Sequence, residues 1–572
     1  MKMLMGYIKK HKWFMILGPF FKLLEALLEL ANPILVAQII DKGVATNSVT
    51  TIVKFGIILA VTNILGFCFA VIGQKCASLT STKIAASMRG DVFKTVSTFS
   101  HAELDKFGTS SLVNRLTNDI NQVESAIGVF MRTILRVPFL LVGAFVLSLM
   151  INVKMSLIFL VLIPVLTIGL IIYTKKTTPY FQQIRTKLDR ISKVTKENLS
   201  GTRVIRAFNK QADEQARFET VSEDYTKTSI KIGKISALLE PVIFTIVDIA
   251  TIALLAVGGW QINIGRMTQG DIIALIDYVA IISISLLLLS QIIAMLVRTS
   301  ASLKRVNEVL QTKASISNPI NAKYLKKLDY DAIMEFKNVC FNYSFDPKEK
   351  SFIKDLSFKI YPGQTLGVIG GTGSGKTTIA SLMTRFYDVT SGEILYKGKN
   401  IKEFSLEQLR HEISIVQQRS TLFSGSLREN MQLRNENATD DEIVEVLKIS
   451  QAWPFVSEWK NGLDYQIMAG GKNVSGGQMQ RLTIARALID NPEMLILDDS
   501  SSALDFLTDS LLRKAIKQLN TTTVYISQRA TSIKNADLII VLDNGDVVGM
   551  GKHSDLMKNC EIYKEIYESQ SK

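Results

Sequence analysis

Six apolar stretches dominate the first 300 residues of the chain, at 13–40, 52–73, 129–151, 157–173, 238–262 and 272–297. Each approaches or exceeds the roughly 20 residues that a helix needs to cross a bilayer. A segment in hydrocarbon must pair its own backbone N–H and C=O groups, so stretches of this length fold as helices. Beyond about residue 318 none recurs, and short β-branched runs alternate with polar helical segments, the pattern of an α/β domain. The 572 residues suffice for both parts, and 47% hydrophobic with 21% charged residues suits a membrane portion joined to a soluble one. The expected fold class is a multidomain membrane protein. An all-α six-helix transmembrane domain occupies 1–317, a linker 318–331 and an α/β domain 332–572. The N-terminus "MKMLMGYIKKHKWFMILGPFF" opens like a signal peptide, but its apolar run continues to about residue 40 with no small-residue cleavage site, as a first membrane helix would.

The connections between spans alternate short and long. The short ones, 41–51, 152–156 and 263–271, carry one basic residue each: Lys42, Lys154 and Arg266. Residues 175–234 carry fourteen Lys and Arg, and the N-terminal tail adds Lys2, Lys9, Lys10 and Lys12. Positive charge collects on the cytoplasmic side of membrane proteins. The long connections and both termini are therefore expected in the cytosol, in a plasma-membrane protein spanning six times. Helical periodicity continues through the long connections, so the membrane helices are expected to project beyond the bilayer and turn through short transverse helices at His101–Phe107 and 202–208. The net charge of +14 is explained by basic faces near anionic lipid and calls for no nucleic acid. Cys68, Cys76, Cys340 and Cys560 form neither a CxxC pair nor a metal spacing, so no disulfide or zinc framework is expected.

The soluble part announces its chemistry in "QTLGVIGGTGSGKTTIASLMTRF". A short strand ends at Ile369, a glycine-rich turn follows, and a helix starts near Lys376. Gly370, Gly375, Lys376 and Thr377 fit the G-x-x-x-x-G-K-[ST] phosphate loop. Gly371 and Gly373 let backbone N–H groups converge on phosphate oxygens, the helix start adds its positive dipole end, Lys376 reaches the outer phosphates and Thr377 suits magnesium. Thr372, Ser374 and Thr378 complete the phosphate-binding set. A second strand, "MLILDD", ends about 120 residues later in two carboxylates, of which Asp498 suits a magnesium ligand. A P-loop NTPase domain using ATP and Mg2+ is expected.

Between the two lies "NVSGGQMQRLTIARALIDNP". Its Val474, Ser475, Gly476, Gly477 and Gln478 resemble the leucine-serine-glycine-glycine-glutamine signature of the ATP-binding cassette family, with valine in the first position. Other elements of that family follow the same order: Tyr343 as an aromatic to stack on adenine, Gln418 in "IVQQRSTLFSGSLREN", "SALD" at 502–505 and a switch-like "VYISQRATS". Six spans ahead of one cassette resemble the family's exporter half-transporters. The resemblance implies ATP-driven transport with ATP hydrolysis, magnesium held by Thr377, Gln418 and Asp498, and catalytic roles at Gln418, Asp499 and Gln528. It also implies a dimer, because ATP in this family lies between the phosphate loop of one cassette and the signature of the other. The serine hydroxyl and backbone N–H groups of the signature would close over the outer phosphate on a partner.

The departures from the family pattern carry the most information. After the magnesium aspartate the family has a glutamate that polarises the attacking water, and here Asp499 stands in its place. The switch histidine is Gln528, and Ala469 takes the place of a glutamate ahead of the signature. Aspartate keeps the charge but is one methylene shorter, and rates are sensitive to such displacement. Glutamine donates an amide hydrogen bond but carries neither a proton nor a positive charge. The chain therefore resembles the degenerate-site subunit of a bacterial heterodimeric multidrug exporter, whose partner supplies the glutamate and histidine opposite this chain's signature. A homodimer with tolerated variants and a regulatory ATP-sensing membrane subunit are the alternatives.

Within the first span, Lys22, Glu25 and Glu29 share one helical face. Charges at that depth are costly unless paired or facing water. Lys22 is expected to pair with Glu25, and Glu29 to turn to the bundle interior and be protonated beside its like-charged neighbour. The functional reading of the same residues is a cavity wall favouring cationic or amphipathic solutes, with Asp248 and Asp277 as further candidates. Arg132 and Arg136 are expected to snorkel. The resemblance makes lipophilic drugs, lipids or peptides the substrate classes, multidrug export first.

Overall fold

The structure, a computed structural model, describes residues 2–319, 329–343, 351–500 and 504–571. The chain divides into two compact units: Met1–Ser97 with Ser110–Thr312, and Thr98–Thr109 with Lys313–Lys572. Most of the sequence-derived linker, 318–331, and residues 502 and 503 of "SALD" lie outside the described residues.

The first unit is all helix. Among the described residues six helices are long and apolar enough to cross a membrane: Lys12–Val44, Val49–Ser97, Thr109–Ile151, Val153–Ser200, Gln211–Asn263 and Gln269–Leu289. The helices of 49 residues at Val49–Ser97 and 48 at Val153–Ser200 are each about 70 Å long at 1.5 Å per residue, more than twice the hydrocarbon thickness. The projections inferred from periodicity are therefore present. Outward Ile57, Phe67, Val161 and Ile249 are exposed, as lipid-facing side chains are. The interior is packed around Phe159, Leu254 and Tyr278. The Tyr278 hydroxyl, buried in apolar surroundings, donates to the Leu30 carbonyl at 3.0 Å and so ties the sixth span to the first. At the end of the first span Asp41 accepts from Thr268 Oγ1 at 2.6 Å and the Gly270 N–H at 2.9 Å, joining the same two helices again.

The charges of the first span correct the sequence reading. Lys22 Nζ does pair with Glu25 Oε2 at 2.6 Å. Arg136, however, does not snorkel: its Nη2 meets Glu29 Oε2 at 2.6 Å and its Nε stands 3.6 Å from Glu25 Oε1. Glu29 thus has a cationic partner 107 positions away in sequence. The result is a neutral set of two cations and two carboxylates linking the first and third spans. Asp248 is exposed and Asp277 partly buried.

The second unit is built on a six-stranded sheet in the order Asp546–Gly551, Leu538–Asp543, Thr365–Gly370, Thr522–Ile526, Met494–Asp498, Ile413–Val416. Its five inner and far strands run parallel, and Asp546–Gly551 pairs antiparallel at one edge. Thr365–Gly370 and Met494–Asp498 are buried almost throughout, which is why they read as unbroken apolar runs. A four-stranded antiparallel sheet, Ile353–Ile360, Met334–Phe341, Ser391–Tyr396 and Lys399–Asn400, packs its core side chains Phe336, Phe358 and Tyr396 on the same unit.

Of the two transverse helices, His101–Phe107 falls within this second unit. It starts with a capping box in which the Ser100 N–H donates to Glu103 Oε2 at 2.9 Å, and it ends at Gly108, whose φ of 72° only glycine adopts readily. The His101 ring stacks on Phe386 at 4.2 Å, and Tyr387 donates its hydroxyl to Asp105. The second transverse helix runs Thr202–Ala207, one residue shorter than expected, and buries no side chain.

Candidate functional site

The phosphate loop sits where the central strand Thr365–Gly370 gives way to the helix Lys376–Met383. Gly373 and Gly375 have φ of +80° and +104°, which turns the chain tightly enough to aim successive N–H groups into one hollow. A Cβ at Gly370 would lie 2.2 Å from the Leu542 carbonyl, so this position admits only glycine, whereas Gly371 and Gly373 face open space. Thr372 and Thr377 are exposed on that open side. Ser374 Oγ is buried and has no hydrogen-bond partner, a donor left over for a ligand. Lys376 lies across the loop and donates to the carbonyls of Gly370 at 2.9 Å and Gly371 at 2.6 Å.

Asp498, at the end of Met494–Asp498, meets Thr377 Oγ1 at 3.2 Å through Oδ1. A carboxylate and a hydroxyl side by side are hard oxygen donors of the kind magnesium takes, so the residues present fit that ion. Burial is the largest influence on all three charged groups. It lowers the Lys376 ammonium pKa against the opposing pull of Asp499 and Asp498. It raises the Asp498 carboxyl, with Asp499 adding to the rise and Thr377 and Lys376 opposing it. It likewise raises Asp499, against Lys376, Gln418 and Arg529. A polyphosphate against the amine and a dication against the carboxylates both favour the charged forms that burial disfavours.

Asp499 is held in an unusual backbone state, φ +46°, one that aspartate tolerates better than most residues. Its N–H donates to the Ile526 carbonyl at 2.8 Å, and its Oδ2 accepts from Gln418 Nε2 at 3.3 Å. The structure thus brings Gln418, Asp498 and Asp499 together beside Lys376 and Thr377. The next parallel strand, Thr522–Ile526, leads through Ser527 to Gln528, which is exposed. Tyr343 offers 46% of its surface, with its hydroxyl 2.8 Å from Thr378 Oγ1 and its ring edge-on to Phe341, Phe352 and Tyr387. This aromatic nest fixes the ring and occupies Thr378, a partnership that sequence alone did not indicate.

The signature segment stands apart from these groups. Ser475 caps the helix Gly476–Leu488: its Oγ accepts from the Gln478 N–H at 3.3 Å and its own N–H donates to Gln478 Oε1 at 2.9 Å. Because the hydroxyl oxygen accepts inward, its proton is free to donate outward, next to the exposed Gly476. Val474 packs inward on the helical part of the unit. Ahead of it, Ala469 is exposed in a short turn with Gly470 and Gly471 at positive φ.

Residues 15–286 match the family described as ABC transporter transmembrane region, and residues 353–502 match the one described as ABC transporter. The chain is 32% identical over 576 residues, covering all of itself and 98% of the relative, to YfiB, an uncharacterized ABC transporter ATP-binding protein of Bacillus subtilis. This chain belongs to the ABC transporter family. As an ABC transporter it binds ATP, with magnesium as the usual cofactor, and couples ATP hydrolysis to transport. A second relative, an ATP-dependent lipid A-core flippase of Haemophilus ducreyi, is 29% identical with 100% of this chain and 97% of the relative covered. The fold matches that of a bacterial Atm1-family ABC exporter solved with ATP bound, at a TM-score of 0.79 and 21% identity over 99% of both chains.

Gln570 is a residue near this site that the sequence did not point to. Its amide touches the backbone on both sides of Arg529.

Proposed function

We propose that this ABC transporter is one half of a two-chain exporter of amphipathic or lipophilic solutes, and that its own phosphate-loop site holds ATP while turning it over slowly. The observation that carries this reading is the pairing of an intact signature start at Ser475–Gln478 with a site in which Asp499 and Gln528 replace glutamate and histidine. In this reading Gly370 to Thr378 cradle the phosphates, Thr377, Gln418 and Asp498 hold magnesium, and Tyr343 stacks on adenine. The signature serves the partner's site, which supplies the missing glutamate and histidine. A side chain too short to reach the water, next to a switch that cannot carry charge, leaves binding intact and weakens only the chemical step.

The helix Thr202–Ala207 supports a partner chain, since it buries nothing of its own and Val204 and Phe208 stand more than half exposed. The basic long connections support cytosolic termini. The transmembrane domain is assigned to 1–317 and the nucleotide-binding domain to 332–572. The lipid A-core flippase relative supports lipids among the candidate cargoes, beside drugs and peptides.

The test is ATPase activity of the purified chain alone and with a same-layout partner carrying glutamate and histidine. Expected are slow turnover alone, brisk turnover together, and loss of the latter on removing the partner's glutamate but not on Asp499→Asn. Brisk hydrolysis by the chain alone, at both of its sites, overturns the two-chain reading. Silence in every combination favours a regulatory subunit.

A further inference from the structure

The segment that carries Gln528 is pinned from the far end of the chain. Ser527 N–H donates to the Val368 carbonyl at 3.1 Å, which fixes the entry to the segment on the phosphate-loop strand. The Arg529 N–H is taken by Ser527 Oγ at 2.9 Å. The two groups flanking Arg529 are taken by one side chain: Gln570 Nε2 donates to the Gln528 carbonyl at 2.7 Å, and Gln570 Oε1 accepts from the Ala530 N–H at 2.8 Å. A primary amide offers a donor and an acceptor side by side, as a neighbouring strand's peptide does. Closing both bonds holds Arg529 extended, at φ −94° and ψ 113°, and satisfies one of the orphan N–H groups of the helix Ala530–Ile533.

The clamp is itself anchored. Gln570 lies in the last turn of the helix Glu561–Ser571. Tyr563 of that helix is fully buried, with its hydroxyl 2.8 Å from His553 Nδ1. Tyr567 accepts from Lys534 Nζ at 3.1 Å, and Ile566 packs in the cluster that contains Ala530 and Ile533. The C-terminal helix, anchored by these contacts, therefore reaches the switch segment through Gln570. Among the described residues the Gln528 side chain makes no hydrogen bond, while its backbone carbonyl is held by Gln570.

We infer that Gln570 is a positioning residue: the C-terminal helix, through its amide, presets Gln528 toward the terminal phosphate of ATP. This rests on the reading of Gln528 as the switch residue of this chain's own site. A residue acting only on the terminal phosphate distinguishes ATP from ADP, and a residue acting only on stability does not.

The experiment uses the full-length chain with its partner in membrane vesicles, labelled by 8-azido-ATP and competed with ATP or ADP, reading the label on this chain. Gln570→Glu keeps the acceptor, loses the donor and sets a carboxylate against the Gln528 carbonyl; Gln570→Ala removes both bonds. Each is expected to raise the ATP needed for half-competition by about fivefold and leave ADP unchanged, as the loss of one or two partly exposed hydrogen bonds would. In a Gln528→Ala background, Gln570→Glu is expected to add nothing. The inference is overturned if ATP and ADP weaken together, if neither substitution at Gln570 changes ATP competition, or if the fivefold loss persists without the Gln528 side chain. Should Gln528→Ala leave the ATP-to-ADP ratio of half-competing concentrations untouched, the switch assignment falls and the clamp with it; should Gln528→Ala raise that ratio while Gln570→Glu is silent, the clamp alone falls.

Discussion

Replacing Arg136 by leucine would leave the first span with one cation for two carboxylates. Arg136 meets Glu29 at 2.6 Å and approaches Glu25 at 3.6 Å, while Lys22 already serves Glu25. Glu29 therefore bears the loss. Removing one member of a fully buried pair costs roughly 3–5 kcal/mol. The side chains here are 22% and 36% accessible, so screening reduces the expected cost to about 1–2 kcal/mol. For a unit of this size that is a fall of about 2–8 °C in apparent Tm, measured on the solubilised transporter. The double change Arg136→Leu with Glu29→Leu removes a cation and a carboxylate together and leaves the Lys22–Glu25 pair, so it should recover most of the loss. An unchanged Tm for the single variant, or a double variant less stable than the single, would refute the neutral four-charge account.

Asp499→Glu alone should raise ATP turnover less than about threefold, because the switch still lacks a charge; Asp499→Glu with Gln528→His should raise it further in steady-state assays, and full recovery by the single change would contradict the argument. Ser374→Ala should leave Tm unchanged or slightly higher, since it deletes an unpaired buried hydroxyl, yet weaken ATP binding several-fold in nucleotide displacement. Burial beside Phe386, helped by Arg410 and opposed by Asp105, lowers the His101 pKa, so the folded state prefers the neutral ring. Docking of His101–Phe107 should thus be fully stable above about pH 6.5, the unfolded value, and weaken as pH falls through the lowered folded value. Hydrogen exchange at Leu104 to Gly108, corrected for intrinsic rates, should rise on acidification, and His101→Phe should abolish that rise.

Much of this was legible in the sequence because its physics is local. Six apolar stretches announce six helices, since hydrocarbon leaves the backbone no other partner, and the helix Val49–Ser97 continued past its apolar part because its periodicity did. The phosphate loop was readable because glycine spacing alone dictates the turn, and Ser475–Gln478 through its resemblance to the family signature; the capping box that Ser475 forms with Gln478 emerged only in the structure. What escaped depends on distant partners. Arg136 and Glu29 are 107 positions apart, and only packing decides between snorkelling and pairing. The engagement of Tyr343 with Thr378, and of Gln570 with Gln528, likewise rests on a fold that no window of sequence contains.

The membership of Thr98–Thr109 in the nucleotide-binding unit bears on how that unit can be studied in isolation. A soluble fragment cut from about residue 313 onward would leave behind twelve residues that its surface is shaped to receive. The faces of Phe386 and Tyr387 would then meet water, an invitation to self-association that could be mistaken for physiological pairing. Supplying the missing stretch as a free peptide should disperse such aggregates.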